Sequence, residues 1–185
     1  SGTFTGLTQN TYGVFVKDAK ECTDSVLVDI RKSAVSASIS ITGATCNGDT
    51  NGAIAVTNGS GGSGSGYKVK LGDGAYFDIP KTFTTLGGGS YTITVKDSLD
   101  CETVYTRTVS QPAAITATTT FVNPSCSTES DGSITVSASG GTSPYTYSIN
   151  GGTYQALNTF PNLGNGTYTI SVKDSNGCLG STVRT

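Results

Sequence analysis

Histidine, methionine and tryptophan are absent from this 185-residue sequence. Without histidine, the commonest general base and a leading metal ligand are missing. Charged residues make up only 13%, against about a quarter in average soluble domains. The formal net charge of −2 supplies no basic stripe for nucleic acid or an anionic membrane. Apolar runs last a few residues, far short of the ~20 that span a bilayer. Closely spaced cysteines are lacking too: the nearest two of the five, Cys22 and Cys46, stand 24 residues apart. A zinc site wants tighter pairs, usually with histidine. These shortages argue against an enzyme, a nucleic-acid binder and a membrane-inserted protein, and they imply no cofactor.

What is present is a β palette. Glycine reaches 25 residues, and serine and threonine are abundant. β-Branched residues suit strands, while Gly, Asn, Asp and Ser suit tight turns. Widely spaced cysteines fit disulfides in an oxidising, extracellular compartment. Their odd number implies at least one thiol whose partner lies outside this stretch. The start at Ser1-Gly2, with no signal peptide, reads as a cut from a longer protein, with Ser1-Gly2 as a cloning scar.

Internal repetition decides the architecture. The block Tyr12-Gly-Val-Phe-Val-Lys-Asp18 recurs at Tyr91–Asp97 and at Tyr168–Asp174, 79 and 77 residues on. Each copy is followed four residues later by cysteine (Cys22, Cys101, Cys178), and each is preceded by a Phe-x-x-Leu element. A second block, Cys46 to Val56, recurs as Cys126 to Val136, 80 residues on. The chain therefore holds the tail of one repeat (1–35) and two whole repeats (36–110 and 111–185) of about 78 residues. Ser110-Gln111-Pro112-Ala113 forms a short, proline-stiffened joint between them.

Within a repeat the apolar residues alternate. Tyr168, Ile170 and Val172 face one way, and Thr169 and Ser171 the other. That is one dry and one wet face. In the last repeat strands are expected near 115–121, 133–138, 144–149, 153–156, 158–161, 167–172 and 179–184. Such spacing predicts tandem immunoglobulin-like β-sandwiches. Leu163-Gly-Asn-Gly-Thr-Tyr168 has the form of a tyrosine corner, and Leu86–Tyr91 and Leu7–Tyr12 repeat it.

Residues 126–178 carry a combined pattern. It is Cys-x(4)-Asp-Gly-Ser-Ile-Thr-Val, then Gly-Gly-Thr-Ser-Pro-Tyr-Thr-Tyr-Ser, then a Leu-x-x-Gly-Thr-Tyr-Thr-Ile-x-Val-x-Asp-x-Asn-Gly-Cys segment. This resembles the SprB repeat. Residues 46–101 depart from it where Asn58–Gly66 replaces the Gly-Gly-x-x-Pro-Tyr segment, and residues 4–22 carry only its end. The resemblance implies a repeat of a giant cell-surface adhesin of Bacteroidota, exported by type IX secretion and used in gliding motility and surface attachment. Similar repeats also serve as passive stalks in other large secreted proteins.

Several residues are candidates for chemistry. Asn47, Asp49 and Asn51 match the first half of a calcium loop, without its closing glutamate, and Glu129 and Asp131 form a weaker copy. The competing reading is a polar turn whose Asn and Asp cap their own backbone. For the disulfides, the first-turn class (Cys46, Cys126) and the last-turn class (Cys22, Cys101, Cys178) fall at opposite ends of a standard sandwich, roughly 20 Å apart. A disulfide needs Cα atoms within about 7 Å. Pairing Cys126 with Cys178 inside one repeat is the simpler sequence reading. Pairing Cys46 with Cys178 between neighbouring repeats is the better geometric one, and five free thiols are the third alternative. The expected partners are neighbouring repeats of the same chain. In a rival reading, a polysaccharide-binding module, Tyr67, Tyr76, Phe77 and the glycine-rich 58–66 segment form the ligand surface.

Overall fold

The computed structural model describes residues 2–8, 10–30, 34–62 and 64–185. Ser1 of the start and Ser63 of the glycine-rich segment lie outside the described residues. Every helix or strand among the described residues is a β-strand. They are β1 (Asn10–Lys17), β2 (Thr23–Ile30), β3 (Ser36–Thr42), β4 (Gly52–Ser60), β5 (Lys68–Leu71), β6 (Phe77–Asp78), β7 (Lys81–Leu86), β8 (Gly89–Lys96) and β9 (Glu102–Val109). These are followed by β10 (Thr116–Val122), β11 (Gly132–Ser139), β12 (Thr146–Ile149), β13 (Thr159–Leu163), β14 (Tyr168–Lys173) and β15 (Leu179–Arg184).

The strands form small antiparallel sheets. β1 pairs with β2 alone. The orders β3-β4-β7 and β10-β11-β13 repeat one arrangement, and β5-β8-β9 and β12-β14-β15 repeat another, with β6 added at the edge beside β5. Even an irregularity recurs: the register shifts between Gly52 and Ile54 in β4, and between Gly132 and Ser133 in β11. The chain divides into two compact units. One comprises residues 1–38, 57–80 and 93–105, and the other residues 39–56, 81–92 and 106–185.

In the first unit, β5 and β8 pair Val69 with Val95 and Leu71 with Ile93, and Val35, Val69, Ile93 and Val95 are buried. In the second unit one core gathers side chains from two three-stranded sheets. Ile134 and Val136 of β11 and Phe160 of β13 come from one sheet, and Tyr147 of β12 and Ile170 and Val172 of β14 from the other. Alternation puts these residues on a single face of each strand, and each such aliphatic burial contributes about 1.5–3 kcal/mol.

The strand expected at 153–156 reduces to a single bridge, Tyr147 to Gln155. The reason lies just beyond it. Gln155 Nε2 donates to the carbonyls of Leu157 and Thr159 and turns the chain back toward β13. Leu157 is left exposed, so nothing favours a longer pairing.

Candidate functional site

Each Lys-Asp block ends its strand in the same turn. Asp18 Oδ1 accepts from the amides of Lys20 (2.8 Å) and Cys22 (2.9 Å). Asp97 Oδ1 accepts from Leu99 and Cys101, and Asp174 Oδ1 from Asn176 and Cys178, all at 2.9 Å. A short carboxylate can satisfy backbone two and four residues on, which is why Asp recurs here. Asp174 also accepts from the Thr142 amide at 2.8 Å. Burial opposes its charge, but the amides of Thr142, Cys178, Asn176 and Gly177 outweigh it and hold its carboxyl below the usual range.

The preceding tyrosine forms the same bond in all three blocks. Tyr12, Tyr91 and Tyr168 donate to the carbonyls of Thr8, Gly87 and Gly164, four residues back, at 2.9, 3.0 and 2.9 Å. Ring and hydroxyl together lock the turn before the strand, as a tyrosine corner does.

The first-turn loops also match. The amides of Thr45 and Ser125 donate to Asn51 Oδ1 and Asp131 Oδ1, at 2.9 and 2.8 Å. The Asp49 and Glu129 amides close onto the carbonyls of Cys46 and Cys126. Asp49 Oδ2 accepts from the Cys46 amide, and Asn51 Nδ2 donates to Thr45 Oγ1. The bonds from Ser125, side chain and then backbone, hold the Asp131 carboxyl low. The oxygens of Asp49, Asn51 and Asp131 thus serve as caps for their own loops. Asn47 points its amide nitrogen at the Pro112 carbonyl. Among the described residues, no group of three or more His, Cys, Asp or Glu is arranged to hold a metal ion.

Cys46 and Cys178 are joined by a disulfide, with Cα atoms 5.6 Å apart and a sequence separation of 132. The simpler sequence pairing, Cys126 with Cys178, does not form: Cys126 is free and exposed. Cys22 is also free and exposed, and Cys101 free and half-buried. The bond that forms therefore joins one first-turn cysteine, Cys46, to one last-turn cysteine, Cys178.

Beside this bond the joint is clasped. The Ala44 amide donates to the Ser110 carbonyl (2.8 Å), the Gly48 amide to Gln111 Oε1 (3.0 Å), and Asn47 Nδ2 to the Pro112 carbonyl (3.1 Å). From the other side the Gly141 amide donates to the Ala113 carbonyl at 2.8 Å. All these residues belong to the second compact unit. Sequence reading saw Pro112 as a stiffener and missed Gln111 as a cap. The available signal was Gly87-Gly88-Gly89, which stands where the next repeat has Gly164-Asn165-Gly166.

The proposed ligand surface is partly engaged. Lys70 and Lys96 lie 5.0 and 4.4 Å from the centre of the Tyr76 ring, and its hydroxyl bonds Glu102. Burial and then that carboxylate push the Tyr76 hydroxyl up to about 12. Tyr67 donates to the Gly61 carbonyl at 2.7 Å and lines a concavity with Thr57, Asn58, Gly59, Asp78 and Pro80. Phe77 is exposed on the two-residue edge strand β6.

Residues 118–154 match the SprB repeat family model. No curated protein matches the chain. Among solved structures, a C-terminal 282-residue fragment of intimin, in complex with the translocated intimin receptor (Tir) intimin-binding domain, is similar at a TM-score of 0.41 and 17% identity. That match covers 80% of this chain, and the chain spans 63% of the length of the intimin chain.

Proposed function

We propose that the chain is a load-bearing segment of a secreted cell-surface adhesin built from SprB-like repeats, each an immunoglobulin-like sandwich of about 78 residues bounded at 36–110 and 111–185. The orders β3-β4-β7 and β10-β11-β13 correspond to A-B-E, and β5-β8-β9 and β12-β14-β15 to C-F-G, of that layout. The family likeness extends the reading to a filament of gliding Bacteroidota exported by type IX secretion.

The observation that carries the mechanical role is the Cys46–Cys178 bond. When such a chain is pulled by its ends, force passes from residue 46 to residue 178 through one covalent link. Strands wholly inside the loop are shielded, while β3 and β15, which lie outside it, are pulled against β4 and β14. The joint at 110–113 keeps its clasp, and the repeats keep their spacing.

Single-molecule stretching tests this. Under oxidising conditions only residues outside the bonded loop lengthen. Reduction should add about 450 Å of contour, from 132 residues at roughly 3.3–3.6 Å each, released in cooperative steps. An oxidised chain that reaches its full contour, or repeats that extend at trivial force without cooperative unfolding, would remove the load-bearing role.

A further inference from the structure

Six asparagines in this chain are followed by glycine: Asn47, Asn51, Asn58, Asn150, Asn165 and Asn176. In such a pair the glycine has no side chain to keep its backbone nitrogen away from the asparagine amide carbon. The two react with each other when the asparagine side chain is free to swing into reach, about 3–3.5 Å. All six asparagines are exposed, so access to water does not rank them. Their hydrogen bonds do.

Five of the six side chains are held by bonds that the fold uses. Asn47 Nδ2 donates to the Pro112 carbonyl and Asn165 Nδ2 to the Ser127 carbonyl, both at 3.1 Å. Asn51 accepts from the Thr45 amide at 2.9 Å and donates to the Thr45 hydroxyl at 2.8 Å. Asn150 Oδ1 accepts from the Thr169 amide at 2.9 Å, and Asn176 Nδ2 donates to Thr142 Oγ1 at 3.1 Å. Among the described residues, the Asn58 side chain has no such partner. It lines the concavity that Tyr67 and Asp78 share.

The backbone at Asn58 is loose as well. Ile54 pairs with Phe83 as Ile134 does with Phe160, which sets β4 and β11 at an offset of 80 residues. Further on, Ser60 bonds Ser36 as Ser139 bonds Thr116, and the offset has fallen to 79. Strand β4 therefore carries one residue more than β11. The φ of 52° at Asn58 marks it, because no residue from 133 to 139 has a positive φ. An extra residue of this kind is left unpaired in the ladder. Asn58 thus turns about its own backbone at less cost than a residue in register.

We propose that Asn58-Gly59 is a self-modification site, where the chain converts its own asparagine to aspartate and isoaspartate ahead of the other five pairs. The Gly59 nitrogen gives up its proton and bonds to Asn58 Cγ. The bond from Cγ to Nδ2 breaks, and ammonia leaves with that proton. One water then opens the cyclic imide at either carbonyl. Nothing is oxidised or reduced, and no second protein takes part. The product adds a carboxylate to the concavity that Asp78 lines. The isoaspartate form also lengthens the main chain before Gly59, which packs so closely on Tyr67 that a Cβ there would meet the ring at 2.4 Å. The proposal is independent of the load-bearing reading.

The test holds the intact chain in mildly alkaline buffer at body temperature for weeks. Fragmentation mass spectrometry follows each asparagine by the small mass gain of an amide turned acid. Asn58 should convert at least several-fold faster than any other of the six. In urea, where the bonds are gone, the six rates should draw together. Thr142→Val removes the hydroxyl that holds Asn176 and should raise the Asn176 rate several-fold, with that of Asn58 unchanged. Asn58→Ser should remove the fast phase of ammonia release. The proposal is overturned if another pair leads in the folded chain, or if all six convert alike. It is equally overturned if Asn58 keeps its lead in urea, since neighbouring sequence and not the fold would then set the order. An Asn176 rate unmoved by Thr142→Val overturns it too.

Discussion

The hairpin β1–β2 and the pair β14–β15 each begin with the same block, yet one is exposed and the other sends Ile170 and Val172 into a core. Tyr12 and Tyr168 make the same corner, and Asp18 and Asp174 the same turn. Their neighbours fare differently. Val16 is 64% exposed and its counterpart Val172 fully buried. Phe15, Val26 and Leu27 also lie open. Pairing, corner and turn are therefore local properties of the block. Burial is added by the strands that face it: among the described residues they cover Ile170 and Val172 of β14 and leave Phe15 and Val16 of β1 open. Matched substitutions at the two sites can break this comparison.

The largest difference is expected at the last-turn cysteines. Cys178→Ser removes a tie across 132 residues, which loop entropy values at up to about 5 kcal/mol and usual experience at about 2–4. Cys22→Ser, in the same turn but with a free thiol, should change stability by less than about 0.5 kcal/mol. Denaturant unfolding of both variants checks the pair. Equal effects would mean that the turn, and not the bond, is what cysteine supports.

Next come the valines. Val172→Ala leaves a hole between two sheets and should cost about 2–3 kcal/mol. Val16→Ala touches little and should stay within about 0.5 kcal/mol. The same unfolding measurements apply. A large loss at Val16 would show that the hairpin buries that face against something in solution.

Sequence reading reached most of the strands and the three tyrosine hydroxyl bonds because each rests on residues close along the chain. Alternation of Ile170 and Val172 with Ser171 already marks the inward face. The joint was harder to see. Gln111 caps a loop 63 residues earlier, and no local pattern links a glutamine to a distant glycine amide. The strand expected at 153–156 failed for a related reason: Gln155 turns the chain by bonding carbonyls beyond it. Asn47, Asp49 and Asn51 show the same limit. A calcium half-loop and a self-capping turn draw on the same residues, and only geometry reveals that Asn51 Oδ1 accepts from Thr45.

The smallest and most selective effect belongs to Asp174. Desolvation works against its charge, but four backbone amides overcome it, so its folded pKa lies below the unfolded value of about 3.9. The unfolded chain then takes up the proton first. The stability Asp174 supplies is complete above that unfolded value and disappears as pH falls through the lower folded one. Asp174→Asn keeps an acceptor for Asn176 and Cys178, but turns an NH₂ group toward the Thr142 amide, donor against donor. The variant should therefore be less stable than the parent at pH 7, and the gap should close on acidification below about pH 4. Heat unfolding of both proteins at pH 7, 4 and 3 reads this directly. A gap that stays constant across the series would mean that the carboxylate's shape holds the turn and its charge adds nothing. Asp18→Asn is the control in the exposed hairpin. Its carboxylate accepts from Lys20 and Cys22, and among the described residues no third amide like that of Thr142 joins them, so its loss at pH 7 should be the smaller of the two.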